Sequence, residues 1–211
     1  MPPPTSPTAA GPARPVTDTL AIDFVNSVDC PGCRAGDALE SRATATRWVR
    51  TKLRGVDPRV GSDDLEVLRR LRDDLRRVVE SAVDGTSPPA SSLARINRSA
   101  AVPARRSVLR WARGRWTVED RVASLPTSDW LSSLIARSAI DLIGAGSSPK
   151  IRRCEGPGCV HFLLARRAQQ RWCSPTGCGN RARVQRHYRR LHPAGGDGPR
   201  PRTGPGALHK A

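Results

Sequence analysis

Four cysteines carry the clearest chemical signal in the chain: Cys154-x4-Cys159 and Cys173-x4-Cys178, with thirteen residues between the pairs. Thiolates bind Zn2+ tetrahedrally at about 2.3 Å, and two cysteines a few residues apart let one turn supply two corners. Both intervals are built to turn, Glu155-Gly156-Pro157-Gly158 in the first and Ser174-Pro175-Thr176-Gly177 in the second. The spacing therefore predicts one structural zinc site, with four buried thiols or disulfides as the plainer alternative. His161 could replace one thiolate, but the set is complete without it, and it is expected as a hairpin side chain. Cys30-Pro-Gly-Cys33 has the spacing of a redox pair without the strand and long helix such a pair needs. A simple turn is the preferred reading; a regulatory disulfide, or half a metal site shared between subunits, stays open.

These cysteines need elements to hold them. Val160 to Ala165 and Arg171-Trp172 are expected to pair as a short hairpin whose tip carries Arg166, Arg167 and Arg171. Ser174 followed by Pro175 suits a cap and first turn, and ARVQRHYRRLH then reads as a helix. On it Val184, Tyr188 and Leu191 form a narrow stripe for packing onto the metal hairpin. Arg183, Arg186 and Arg190 fall on another face with no acidic neighbour along the helix, which suits phosphate contacts and guanine edges. Asn180 and Arg181 either contact bases or hold the second cysteine turn.

Charge places the same emphasis. The 211 residues carry 36 Lys and Arg against 19 Asp and Glu, a net charge of +17. Residues 150–192 hold eleven of the basic residues and Glu155 as the sole acid, so a polyanionic partner is expected there. No run approaches the 18 apolar residues of a membrane span. The first fifteen residues lack the apolar stretch of a secretory signal, so a cytoplasmic protein with reduced thiols is expected.

The remainder reads as helical. Residues 1–16 are expected to be a disordered tail, 17–146 an α-rich regulatory or dimerisation domain, 150–192 the metal module, and 193–211 a Gly/Pro-rich disordered tail. Pro149 marks the linker. Leu65, Leu68, Leu71, Leu75, Val78, Val79 and Ala82 predict a helix over 63–83, opened by Asp63 and Glu66 as a capping box. Further helices are expected from about Ser92 to Ala101 and from about Ser128 to the Gly144–Gly146 stop. A hairpin about Gly114 is expected over Val108–Val118. Trp48, Trp111, Trp116 and Trp130 are expected in the core. Asp23 and Asn26, three apart on one helix face, either bridge helices or line a ligand pocket.

The run RRCEGPGCVHFLLARRAQQRWCSPTGCGNRARVQRHYRR, with Cys178-Gly179-Asn180-Arg181 reading CGNR, resembles the CGNR zinc finger. Leu20-Ala-Ile-Asp-Phe-Val-Asn26 resembles the opening motif of the ABATE domain, which commonly precedes that finger in stress-induced transcriptional regulators; Ser27 stands where Thr is more usual. The resemblance implies a zinc-dependent, DNA-binding regulator rather than an enzyme. The fold expected is mainly α with a short β-hairpin: an α-rich amino-terminal domain plus a small four-Cys zinc module, hairpin followed by helix. Zn2+ is the expected cofactor, DNA the expected partner, and a homodimer is possible. A zinc-containing RNA- or ribosome-binding protein is the first alternative. An enzyme with a pocket in the first domain is the second.

Overall fold

The computed structural model describes residues 19–33, 36–53, 58–103, 105–122, 126–144 and 150–192. Both tails and the linker at Pro149 lie outside them. Among the described residues five α-helices build the amino-terminal part: α1 (Leu20–Val25), α2 (Arg42–Lys52), α3 (Ser62–Asp84), α4 (Ala90–Ala101) and α5 (Thr127–Leu142). In α1, Leu20, Ala21, Ile22, Phe24 and Val25 are all buried. A helix apolar on all sides but that of Asp23 belongs near the centre, and α1 packs against α3 and α5. The Ala21 N–H donates to Ser138 Oγ at 3.2 Å.

The leucine stripe of α3 is buried as its periodicity predicts. Its capping differs from the expectation. The helix opens at Ser62 after Gly61, and Asp64, rather than Asp63 with Glu66, is the capping acid. One Asp64 oxygen accepts from the Gly61 N–H at 2.7 Å and the other from the Ser128 N–H at 3.0 Å. A single carboxylate thus serves unpaired donors at the amino-terminal ends of both α3 and α5.

Strands β1 (Arg105–Ala112) and β2 (Arg115–Val122) pair antiparallel across Arg113-Gly114. Both turn residues have positive φ, 52° and 72°, as a two-residue type I′ turn requires. Trp111 and Trp116 are 58% and 65% exposed, which corrects their placement in the core. Register explains it: Leu109↔Val118 and Trp111↔Trp116 face one another, so period-two alternation puts all four on one outward face. Trp48 and Trp130 do pack against the core.

The carboxy-terminal module has a hairpin, but a different one from that expected. β3 (Ile151–Arg153) pairs with β4 (Phe162–Leu164), in the register Ile151↔Leu164 and Arg153↔Phe162. Arg171-Trp172 is not the partner strand; the Arg171 carbonyl instead accepts the Glu155 N–H at 2.9 Å. Apolar burial decides the pairing, because Ile151 and Phe162 belong to the same core as the five helices. The first cysteine turn therefore connects β3 to β4. A π-helical turn, Pro175–Gly179, then leads into α6 (Asn180–Leu191). Ser174 Oγ accepts the Gly177 N–H at 3.0 Å, the cap the sequence predicted.

Docking of this hairpin on the helices is specific. Asn26, just past α1, donates from Nδ2 to the Phe162 carbonyl at 2.7 Å and accepts the Phe162 N–H at 2.8 Å. The Phe162 ring is buried, with the guanidinium groups of Arg76 and Arg153 at 5.2 and 5.4 Å from its centroid. Arg76 also donates to the Val160 carbonyl at 2.9 Å, and Arg153 pairs with Asp84 at 2.7 Å. Since the hairpin spends its apolar side on the helices, α6 has no such surface to cover. None of its residues is buried, and Val184, Tyr188 and Leu191 are exposed. The expected packing of that stripe onto the metal hairpin is corrected accordingly.

Candidate metal centre and nucleic-acid surface

The β3–β4 turn brings Cys154 and Cys159 to one end of the hairpin, and the Ser174 turn brings Cys173 and Cys178 to the same place. All four sulfurs lie within 4.8 Å of one another. Cys159 to Cys173 is 3.8 Å and Cys173 to Cys178 is 3.4 Å. Two thiolates on a tetrahedral zinc at 2.3 Å stand about 3.8 Å apart, so the donor set fits that ion in number, softness and spacing. The backbone is shaped around it. A Cβ added at Gly156 would meet the Cys178 Cβ at 2.6 Å and its Sγ at 3.0 Å; the two turns meet there and leave no room for a side chain.

The sulfurs are not equivalent. Burial opposes charge on Cys154, but the N–H groups of Cys173 and Gly156 donate to its Sγ at 3.2 and 3.4 Å. The balance holds this thiol below its ordinary value. Burial pushes Cys159 up to about 11 and Cys173 higher still, with neighbouring sulfur charge adding to the effect. A thiolate cluster of this kind needs positive charge to form, which a dication supplies.

Arg181, in the first turn of α6, turns inward. Its Nη2 lies 3.2 Å from Cys178 Sγ and 3.8 Å from Cys33 Sγ. It thus ties the first turn of the helix to the sulfur cluster. Arg171 pairs with Glu155, so the loop charge at Arg166, Arg167 and Arg171 is partly neutralised. Arg183, Arg186, Arg189 and Arg190 lie on the outer part of α6, none of them buried, and Asn180 is exposed. Among the described residues no carboxylate pairs with the α6 arginines 183, 186 and 190.

Asp23 forms an ion pair with Lys52 at 3.1 Å, and Asn26 is used in full by Phe162. Both bridge elements. The Cys30–Cys33 pair is disulfide-bonded in a turn whose Cys33 N–H donates to the Cys30 carbonyl at 2.7 Å. It lies directly on the metal module, with Cys33 Sγ 3.4 Å from Cys159 Sγ. Three functional contacts escaped the sequence reading: Asn26 with Phe162, Arg76 with Val160, and the Cys30–Cys33 turn against Cys159. Each joins residues more than 80 positions apart, and only the surplus of six cysteines over the four a zinc needs hinted at the third.

Comparison with known families accounts for both parts of this arrangement. The ABATE family model, described as "Putative stress-induced transcription regulator", matches residues 18–146. The chain belongs to the ABATE family. The CGNR zinc finger model matches residues 150–191, which contain the four-cysteine cluster. Zn2+ is the cofactor of such a finger, and the donor chemistry fits it. No curated protein matches the chain. The ABATE motif is now legible in structure: Leu20, Ile22, Phe24 and Val25 fill the core, and Asn26 receives the CGNR finger. The printed description of the family is that of a transcription regulator. No helix among the described residues is long and apolar enough to cross a membrane.

Proposed function

We propose that this ABATE protein is a zinc-dependent, DNA-binding transcription regulator, with α6 as the element that meets DNA. Cys154, Cys159, Cys173 and Cys178 hold the zinc in this reading. The ion supplies folding energy at a point where the finger has few apolar residues of its own. Arg181 positions the first turn of α6 against the sulfurs, and the rest of the helix is left free. The observation that carries the reading is that α6, alone among the described α-helices, buries none of its side chains. It offers Arg183, Arg186 and Arg190 without acidic partners among the described residues, over about 10 Å of helix at 1.5 Å per residue. A helix of that kind fits the major groove, where arginine contacts phosphates and guanine edges. Arg166, Arg167 and Asn180 flank it as further contacts.

The amino-terminal helices sense a signal or dimerise in this reading, in a protein that works in the cytoplasm. Dimerisation would bury the Leu109, Trp111, Trp116 and Val118 face of β1 and β2, since a lone two-stranded hairpin with an open apolar face is marginal in water. The test of DNA as partner is competition. Zinc-loaded protein bound to labelled genomic DNA fragments is challenged with unlabelled duplex DNA and with structured RNA of equal length. Displacement by DNA at lower concentration supports the reading. Preferential displacement by RNA would transfer the function to an RNA- or ribosome-binding protein.

A further inference from the structure

We propose that Cys30, Cys33, Cys159 and His161 form a second zinc site, opened by reduction of the Cys30–Cys33 disulfide, in which Cys159 bridges to the finger's zinc. The bridging rests on the four-cysteine reading of the finger; the site itself stands on separate geometry. The ligand atoms of these four residues lie within 4.8 Å of one another. Cys33 and Cys30 place their sulfurs 3.4 and 4.0 Å from Cys159 Sγ, either side of the roughly 3.8 Å expected for two thiolates on one zinc. His161 completes a Cys3His set, one of the common tetrahedral donor sets. Its Nε2 is buried without a close hydrogen-bond partner, and its Nδ1 lies 3.9 Å from Cys173 Sγ, so the ring stands between the two sulfur groups. It stands two residues from Cys159, next to the strand that the Asn26 contact fixes.

Two backbones are shaped to bring these groups together. A Cβ at Gly32 would meet the Gly158 carbonyl oxygen and carbon at 2.6 and 2.7 Å and the Pro157 oxygen at 2.7 Å. The Cys30–Cys33 turn therefore lies flat on the Cys154–Cys159 turn, knuckle against knuckle. Behind it, Arg72, only 6% exposed, is held bidentate by Asp37 at 2.5 and 2.8 Å and donates to the Ser27 carbonyl at 3.0 Å. That network fixes the segment leading into Cys30. Arg181 Nη2 touches Cys178 of one site and Cys33 of the other, so one guanidinium serves both.

The chemistry balances with a dithiol reductant of the cytosolic kind. The reductant gives two electrons and two protons, its own sulfurs join as a disulfide, and the Cys30–Cys33 bond is replaced by two thiols. Zinc then displaces both thiol protons to solvent and takes the neutral imidazole as its fourth ligand. Two new thiolate charges are cancelled by the second dication, so the cluster's net charge, and the fit of Arg181, are unchanged. Oxidation reverses this and releases one zinc while the finger keeps its own.

The test is zinc stoichiometry of the full chain by native mass spectrometry with elemental analysis. The protein is loaded with zinc in a phosphine reductant and compared with the same protein after mild disulfide-forming oxidation, and with Cys30→Ser/Cys33→Ser. The expected counts are two zinc ions per chain when reduced, one when oxidised, and one in the double variant. One zinc in the reduced parent overturns the second site and leaves the finger standing. Two in the double variant would put the second ion elsewhere and overturns it equally. A reduced parent with no zinc overturns the finger as well. The parent's reduced and oxidised counts decide the matter even where the variant folds poorly.

Discussion

Replacing Asn26 should loosen the finger from the helices without touching the metal. In Asn26→Ala two hydrogen bonds disappear, at 2.7 and 2.8 Å in the parent, each worth about 0.5–1.5 kcal/mol net. The Phe162 N–H and carbonyl are then left without this partner, and Phe162 is 1% exposed. A buried orphan group costs about 1–3 kcal/mol, but Asn26 itself is half-buried and water can replace part of it, so the total comes to about 2–4 kcal/mol. For a chain of this size that lowers Tm by roughly 4–16 °C. Asn26→Asp is more informative. Its carboxylate can still accept the Phe162 N–H, yet its second oxygen faces the Phe162 carbonyl with no proton between them. Protonation restores that donor, so the pKa of the introduced carboxyl is raised on folding. The deficit against the parent is then largest above the raised pKa and shrinks as pH falls through it. Thermal unfolding by circular dichroism over pH, with hydrogen exchange of residues 150–192, reads both effects. An unchanged Tm and unchanged exchange in both variants, zinc content being equal, would refute the docking argument.

Cys178→Ser should lose the finger's zinc and, because Ile151 and Phe162 belong to the helical core, also lower the Tm of the amino-terminal helices; elemental analysis and circular dichroism check this. Asp74 is held below the usual carboxylate range chiefly by Arg95, which donates two hydrogen bonds at 2.5 and 2.6 Å. Its stabilisation is present above the unfolded value and lost as pH falls through the depressed one. Asp74→Asn should therefore cost about 2 kcal/mol near neutrality and progressively less in an acid denaturation series. Trp111→Glu with Trp116→Glu should abolish any dimer seen by light scattering while leaving zinc content and far-ultraviolet signal unchanged.

Local patterns carried the sequence reading furthest. The α3 stripe, the hairpin about Gly114, the Ser174 cap and the four-cysteine cluster each depend on residues close in sequence, where spacing maps directly to geometry. The errors arose where distant partners compete. β4 chose Ile151–Arg153 over Arg171-Trp172 because Phe162 is needed in a core that the local sequence does not display. That choice left Val184, Tyr188 and Leu191 uncovered on α6. For Arg181 the sequence left base contact and a hold on the second cysteine turn both open, and only the distant Cys33 sulfur beside Cys178 shows how far its inward contacts reach. Asp64 displaced Asp63 as a cap because Ser128, 64 residues on, needed the same carboxylate.

The central claim is that α6 is the surface that meets DNA, held in place by the zinc. It is tested most directly by the salt dependence of duplex DNA binding for the parent and for Arg183→Ala/Arg186→Ala/Arg190→Ala, both zinc-loaded. Each phosphate neutralised contributes about −0.9 to the slope of log affinity against log salt. The variant should keep its zinc, bind more weakly, and show a slope flatter by about 2–3. Unchanged affinity and slope in a zinc-loaded variant would contradict the account and move the contact to Arg166 and Arg167.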